Sequence, residues 1–184
     1  MNKSLIDTDL LQRLQNHFCN ANDIYLACLD RERNLLTEIG VCEEVQQFFI
    51  DQFPQNACNS LLRSVEVSQV EAIVEEPLPV PYMKLCSVIT RVEGAITLVW
   101  VVAAVIEEYV KPEDEIPEYI HRTSEERFYR TIAFLEEVSK QLLTVKEHEI
   151  LAEEAMEQSK RFEPPMLIEE IAQQTKPFLS IGNQ

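Results

Sequence analysis

Residues 82–106 read YMKLCSVITRVEGAITLVWVVAAVI, and this stretch decides the fold. Val88, Ile89, Thr90 and Val92 are β-branched, as are most residues from Ile96 to Val105. Such side chains suit a pleated surface and lose rotamer freedom in a helix. Glu93-Gly94 supplies a two-residue turn, with Gly94 free to take positive φ. The stretch therefore reads as a β-hairpin. A tight turn there sets Val92 opposite Ala95, Thr90 opposite Thr97, Val88 opposite Val99 and Ser87 opposite Trp100. One face would carry Cys86, Val88, Thr90, Thr97, Val99 and Val101, and the other Leu85, Ile89, Leu98, Trp100, Val102 and Ala104. Neither face is polar, so the hairpin belongs mid-sheet with a layer on each side.

Charged residues bound the apolar core of the second strand, Arg91 and Glu93 before it and Glu107 and Glu108 after it. The interval is shorter than the roughly 20 residues a spanning helix needs, so no membrane is expected. The chain has 184 residues, enough for one domain with an appendage, and 46% are hydrophobic, enough for a packed core. Its 16 Lys+Arg against 32 Asp+Glu give a net charge of −16, which opposes nucleic acid as a partner. Three glycines leave no room for a Gly-rich phosphate loop. Five cysteines without a CxxC pair, and no basic-then-apolar leader, fit a reducing cytoplasm.

Before the hairpin, Asp7 or Thr8 caps a helix with Leu11, Leu14, Phe18 and Ala21 on one side. Ile24–Leu29 reads as a strand, Asp30–Asn34 as a turn and Leu35–Ile39 as a second strand. An insert follows over residues 43–76. Val45, Phe48, Phe49 and Phe53 mark one helix in it, ended by Pro54. Asn59 or Ser60 caps another, with Leu62, Val65, Val70, Ile73 and Val74 along one side. Glu75–Pro81 is a proline-punctuated connector. The pattern as a whole is α+β.

After the hairpin, residues 109–123 are acidic, hold Pro112 and Pro117, and read as a linker. Thr123 or Ser124 caps a long helix over 124–161. Its apolar stripe is Phe128, Ile132, Leu135, Val138, Leu142, Val145, Ala152 and Met156. At about 1.5 Å per residue the helix reaches ~50 Å, more than a small sheet can cover. A second copy of the same helix is the simplest partner for residues 124–160. Residues 162–184 read as a short helix, Met166–Gln174, and a tail.

Catalysis finds no support: there is no nucleophile elbow, no HExxH and no paired acids. No metal is expected, although Cys42 and Cys58 flank the first insert helix and could meet. No cofactor is implied. Cys86, Thr90 and Thr97 among Val88 and Val99 would instead give an apolar pocket with a few polar handles, with Tyr25 and Tyr82 at its rim. Thr is also an ordinary strand residue, and Trp100 opposite a small Ser87 reads as core.

Residues 9–42, DLLQRLQNHFCNANDIYLACLDRERNLLTEIGVC, resemble the opening of the PocR-type sensory domain, a relative of the GAF and PAS folds. The shared pattern is LQxLQxxF on a helix, a strand closed by Asp30, then Thr37 and a Cys. RVEGAITLVWVVAAVI resembles that family's ligand-side hairpin. The resemblance implies a GAF/PAS-like antiparallel sheet with flanking helices, followed by a long signalling helix. It implies a sensor over residues 1–108 that binds a small molecule between sheet and insert. A homodimeric helix would pass the signal to an output domain or a separate signalling partner. A ligand-free dimerisation module and a thiol- or metal-based redox sensor are the two rival readings.

Overall fold

A computed structural model describes residues 6–22, 24–38, 43–53, 57–67 and 72–162. The fold is α+β. Helix α1 (Thr8–Asn22) precedes strand β1 (Tyr25–Leu29). Helices α2 (Glu43–Gln52) and α3 (Ala57–Val67) form the insert and lead to β2 (Ile73–Glu76). The hairpin is β3 (Met83–Val92) and β4 (Ala95–Ile106). A short 3-10 turn (Glu107–Tyr109), β5 (Arg122–Thr123) and α4 (Glu125–Phe162) complete the order. The chain divides into two units whose boundary lies inside α4, between Thr144 and Val145.

In the first unit the sheet runs β1-β4-β3-β2, antiparallel throughout. The two residues of β5 add in parallel to the end of β4, with Ile106 opposite Thr123. Glu93 (φ 50°) and Gly94 (φ 82°) turn the hairpin, the paired positive φ of a type I′ turn whose twist matches the strands. As expected, both faces of the hairpin are covered. Every residue from Val101 to Ile106 is at most 4% exposed, whichever way it points.

The register departs from the tight-turn expectation. Val92 does face Ala95, and Arg91 faces Ile96, but Thr90 then faces Leu98. Thr97 is the extra residue, a bulge that shifts everything beyond it by one. Ser87 therefore lies opposite Val101, and Trp100 opposite Val88. The halves of the hairpin exchange partners: Leu85 and Ile89 share a face with Val99 and Val101. Cys86 and Val88 share the other with Leu98, Trp100 and Val102.

The first of these faces lies under α2 and α3, and the second under α1 and α4, giving three layers. α3 packs against β2 and β3, and α1 against β1. Asp7 caps α1 by accepting the Leu10 N–H at 3.0 Å. Ser124 caps α4 by accepting the Arg127 N–H at 3.2 Å. Phe128, Ile132, Leu135, Ser139 and Leu143 of α4 are buried on the sheet, so α4 as far as Thr144 belongs with the domain.

Four local expectations change. Ile73 and Val74 are in β2 and not on a helix, and β2 extends to Glu76 where a connector was expected. Its alternation and length are those of a short edge strand, with acidic residues and Pro77 at its end. Helix α3 takes in Asn59 and Ser60, which were expected as its cap, and spans Ala57–Val67 within the described residues. Leu35 makes only a single bridge, to Leu29. Leu36 N–H still donates to the Cys28 carbonyl at 2.8 Å, but Glu38 is bound to α1: its N–H donates to Gln12 Oε1 at 2.7 Å, and its carbonyl accepts from Gln12 and Gln15. Residues 109–123 are not a free linker, because Ile120 is buried in the insert-side core and β5 joins the sheet. Met166–Gln174, Ile39 and Val70 lie outside the described residues.

In the second unit, residues 145–162 continue as helix. Val145, Leu151 and Met156 are 57%, 56% and 60% exposed. Lys146 pairs with Glu149 at 3.1 Å.

Candidate functional site

The sheet offers two unlike surfaces, and β4 contributes to both. Under the insert lie Val99, Val101, Ala103 and Val105 of β4, with Tyr25 and Ala27 of β1 beside them. Phe48 and Phe49 of α2 and Leu61, Leu62 and Val65 of α3 close over them. The aromatic part is continuous: Tyr25 lies 5.5 Å from Phe49 and 5.8 Å from Phe53, centroid to centroid. Burial, and then Asp114, push the Tyr82 hydroxyl above its ordinary value at the edge of this layer.

The residues expected to line one pocket are divided by the bulge. Tyr25, Tyr82 and Val99 lie on the insert side. Cys86 and Val88 lie on the α1/α4 side, and Thr90 joins them opposite Leu98. Thr97 sits at the bulge, half-buried, and its hydroxyl donates to the Ala95 carbonyl at 3.3 Å. The seven therefore do not share a wall.

The residue that does face the insert from mid-β3 is Ser87. It lies between Val74 and Val101, both of the insert-side core. It is 0% exposed, and among the described residues its Oγ has no hydrogen-bond partner. Sequence reading missed it because a register without the bulge placed it against Trp100. The bulge itself leaves no compositional mark, since Thr97 reads as any strand threonine.

An open cleft of about 450 Å³ lies on the outer side of α2. Glu43, Glu44, Gln47 and Asp51 line it together with Tyr119 and Phe48. Gln47 donates to Asp51 Oδ1 at 2.6 Å, so this wall is polar and acidic.

The other face is secured by polar bonds. The Trp100 indole N–H donates to Ser139 Oγ of α4 at 2.8 Å, with both residues 0% exposed. At the edge, Lys84 Nζ meets Glu125 at 2.8 Å and donates to the Tyr129 hydroxyl at 2.6 Å. Tyr129 donates in turn to Glu75 Oε1 at 2.6 Å. This clasp joins β2 and β3 to the first turns of α4. Burial alone would lower Lys84, but its bonds to Glu125 and Tyr129 prevail and raise it. The Lys84 and Tyr109 hydrogen bonds hold the Glu125 carboxyl below its ordinary value. Glu108 accepts the Glu125 N–H, placing a carboxylate at the helix N-terminus.

A third arrangement joins α1 to the chain after β1. Thr37 donates to Gln15 Oε1 and accepts the Cys28 N–H at 3.1 Å. Gln15 Nε2 donates to the Glu38 carbonyl at 2.6 Å. Gln12, Gln15 and Thr37, all part of the 9–42 pattern, thus make one hydrogen-bonded unit.

Cys19, Cys28 and Cys86 are free thiols and buried. Burial pushes all three up, Cys19 to about 12, which keeps them protonated and poor nucleophiles. Cys42 lies outside the described residues, and Cys58 falls in α3 with its side chain outside them. Among the described residues no cluster of three or more His, Cys, Asp or Glu could hold a metal ion. No described helix is long and apolar enough to cross a membrane. No protein-family profile matches the chain, and no curated protein matches it.

Proposed function

We propose that the chain is a sensory input domain of a bacterial-type signalling protein, of the PocR or GAF/PAS kind. It takes a small molecule between the sheet and the α2–α3 insert and reports through α4 as a homodimer. The observation that carries this reading is strand β4. Its odd-numbered side chains from Val99 to Val105 form the floor beneath the insert, and its even-numbered ones from Leu98 to Ile106 form the seat of α4. A ligand that shifts β4 shifts Trp100, and Trp100 is bonded to Ser139 of α4. The ligand must favour one arrangement of α4 over another, since equal affinity for both shifts nothing.

Exposed Val145, Leu151 and Met156 support the dimer, as apolar positions open to a second copy. The free thiols are those of a reducing compartment, so the reading places the domain in the cytoplasm. Its output is a domain in cis or a separate signalling protein, and nucleic acid and membrane are not partners.

A ligand-free dimerisation module is the second reading. The close packing of Leu61, Leu85 and Ile89 on the insert side, all at most 1% exposed, favours it. Thermal-shift screening of metabolites on the full chain separates the two. A sensor gains several degrees with at least one compound, and that gain survives Val145→Glu with Met156→Glu. The same double variant is expected to halve the mass per particle in light scattering. A panel that never raises Tm, in a protein that remains dimeric, leaves the dimerisation module standing.

A further inference from the structure

We propose that the Ser87 hydroxyl is the polar anchor of a site for a small uncharged molecule bearing a hydroxyl or carbonyl on an apolar body. The site lies between β3 and α3. The proposal takes the location of the ligand from the sensory reading above and adds its chemistry.

A serine is poorly suited to this position if packing is its only duty. Ser87 sits mid-strand with a paired strand on each side, 0% exposed, and its Oγ has no partner among the described residues. A buried hydroxyl left unpaired is unfavourable, and alanine would fill the same space without that cost. The other two buried unpaired hydroxyls among the described residues, Thr90 and Thr123, lie on the α1/α4 side, opposite Leu98 and Ile106. Among the described residues, Ser87 is the one such hydroxyl beneath the insert.

Its surroundings define the rest of the ligand. Ser87 faces Val101, Val101 faces Ala27, and Ala103 is two residues further along β4. These short side chains make low ground on the sheet, bordered by Leu85 and the ring of Tyr25. No buried charged side chain occurs among the described residues. An ionic ligand would lose its hydration there with nothing to pair with. A hydroxyl donates and accepts, so Ser87 serves an alcohol or a carbonyl equally. An apolar lining with one placed polar group is the usual make-up of a small-molecule site.

The test uses the full chain with two shape-matched probe pairs, phenol with toluene and cyclohexanol with methylcyclohexane. Ligand-observed NMR titration is run on the wild type, Ser87→Ala and Ser87→Thr. The wild type is expected to prefer at least one hydroxylated probe about tenfold over its methyl partner, about one hydrogen bond's worth. Ser87→Ala abolishes that preference by weakening the hydroxylated probe alone, and Ser87→Thr restores it. Unliganded Ser87→Ala melts at or above the wild-type temperature. Equal affinity within each pair, or a preference that survives in Ser87→Ala, overturns the anchor while leaving a pocket and the sensory reading intact. A drop in Tm for Ser87→Ala shows that the hydroxyl is held internally, and also overturns it. Failure of all four probes to bind overturns the site itself.

Discussion

The two faces of the sheet are equally dry and differently held. On the α1/α4 side, directional bonds fix the helices in place: Trp100 to Ser139, Lys84 to Glu125, Thr131 to Asn22, and Gln15 to Glu38. On the insert side the contact among the described residues is apolar, with the unpaired Ser87 hydroxyl in its centre. An ion pair that ties the insert back is at the surface, Arg33 of the β1 turn to Glu66 of α3 at 2.6 Å. Hydrophobic contact is non-directional and survives small displacements, whereas a buried hydrogen bond does not. One layer is thus held in register by directional bonds, and the other mainly by adhesion.

Equal truncations on the two sides put this to its hardest test. Leu135 of α4 and Leu61 of α3 are both 0% exposed. Leu135→Ala is expected to cost about 3–5 kcal/mol, because the bonded helix cannot close the cavity. Leu61→Ala is expected to cost about 2–3 kcal/mol, because α3 can settle toward the sheet. Urea unfolding of both variants measures the contrast. A larger loss for Leu61→Ala would mean that α3 is held at least as rigidly as α4.

A second substitution probes what α1 contributes to its own side. Gln15 is 0% exposed and serves Thr37 and the Glu38 carbonyl together. Gln15→Leu keeps the bulk and strands both partners, at about 1–3 kcal/mol. Denaturant midpoints for Gln15→Leu and Thr37→Val, alone and combined, measure the coupling. Additive losses would mean that the two residues act separately.

The sequence made some of this contrast legible and hid the rest. Runs of β-branched residues with Glu93-Gly94 between them are enough to place the hairpin and to require cover on both faces. The helical spacing around Ser124 is enough to place α4. Which residues face which layer was not legible, because a single bulged residue at Thr97 reverses the answer for all of β4 beyond it. That reversal separated Cys86, Val88 and Thr90 from Val99, and it concealed Ser87. Ile73–Glu76 was misread because four residues of edge strand carry too little pattern to outweigh a nearby helix. Residues 109–123 were misread because their acidic and proline content describes the exposed side of a segment that buries Ile120.

The smallest effect belongs to the clasp at the start of α4, and its use lies in its sign. Lys84 bonds hold Glu125 below the ordinary carboxylate value in the folded protein. The stabilisation is therefore complete above the unfolded carboxylate pKa and disappears as pH falls through the lowered folded value. Lys84 is raised, so its own share is complete below the ordinary lysine value and is lost only as pH rises through the raised one. Both partners are partly exposed, which limits the change to a few degrees in Tm at most. Lys84→Met should therefore melt slightly below the wild type near neutrality and alongside it in acid, measured by scanning Tm across pH. A gap that instead persisted unchanged into acid would mean that Lys84 acts through Tyr129, by its hydrogen bond to the hydroxyl and its contact with the ring, and that the pair with Glu125 adds nothing measurable to the α1/α4 side.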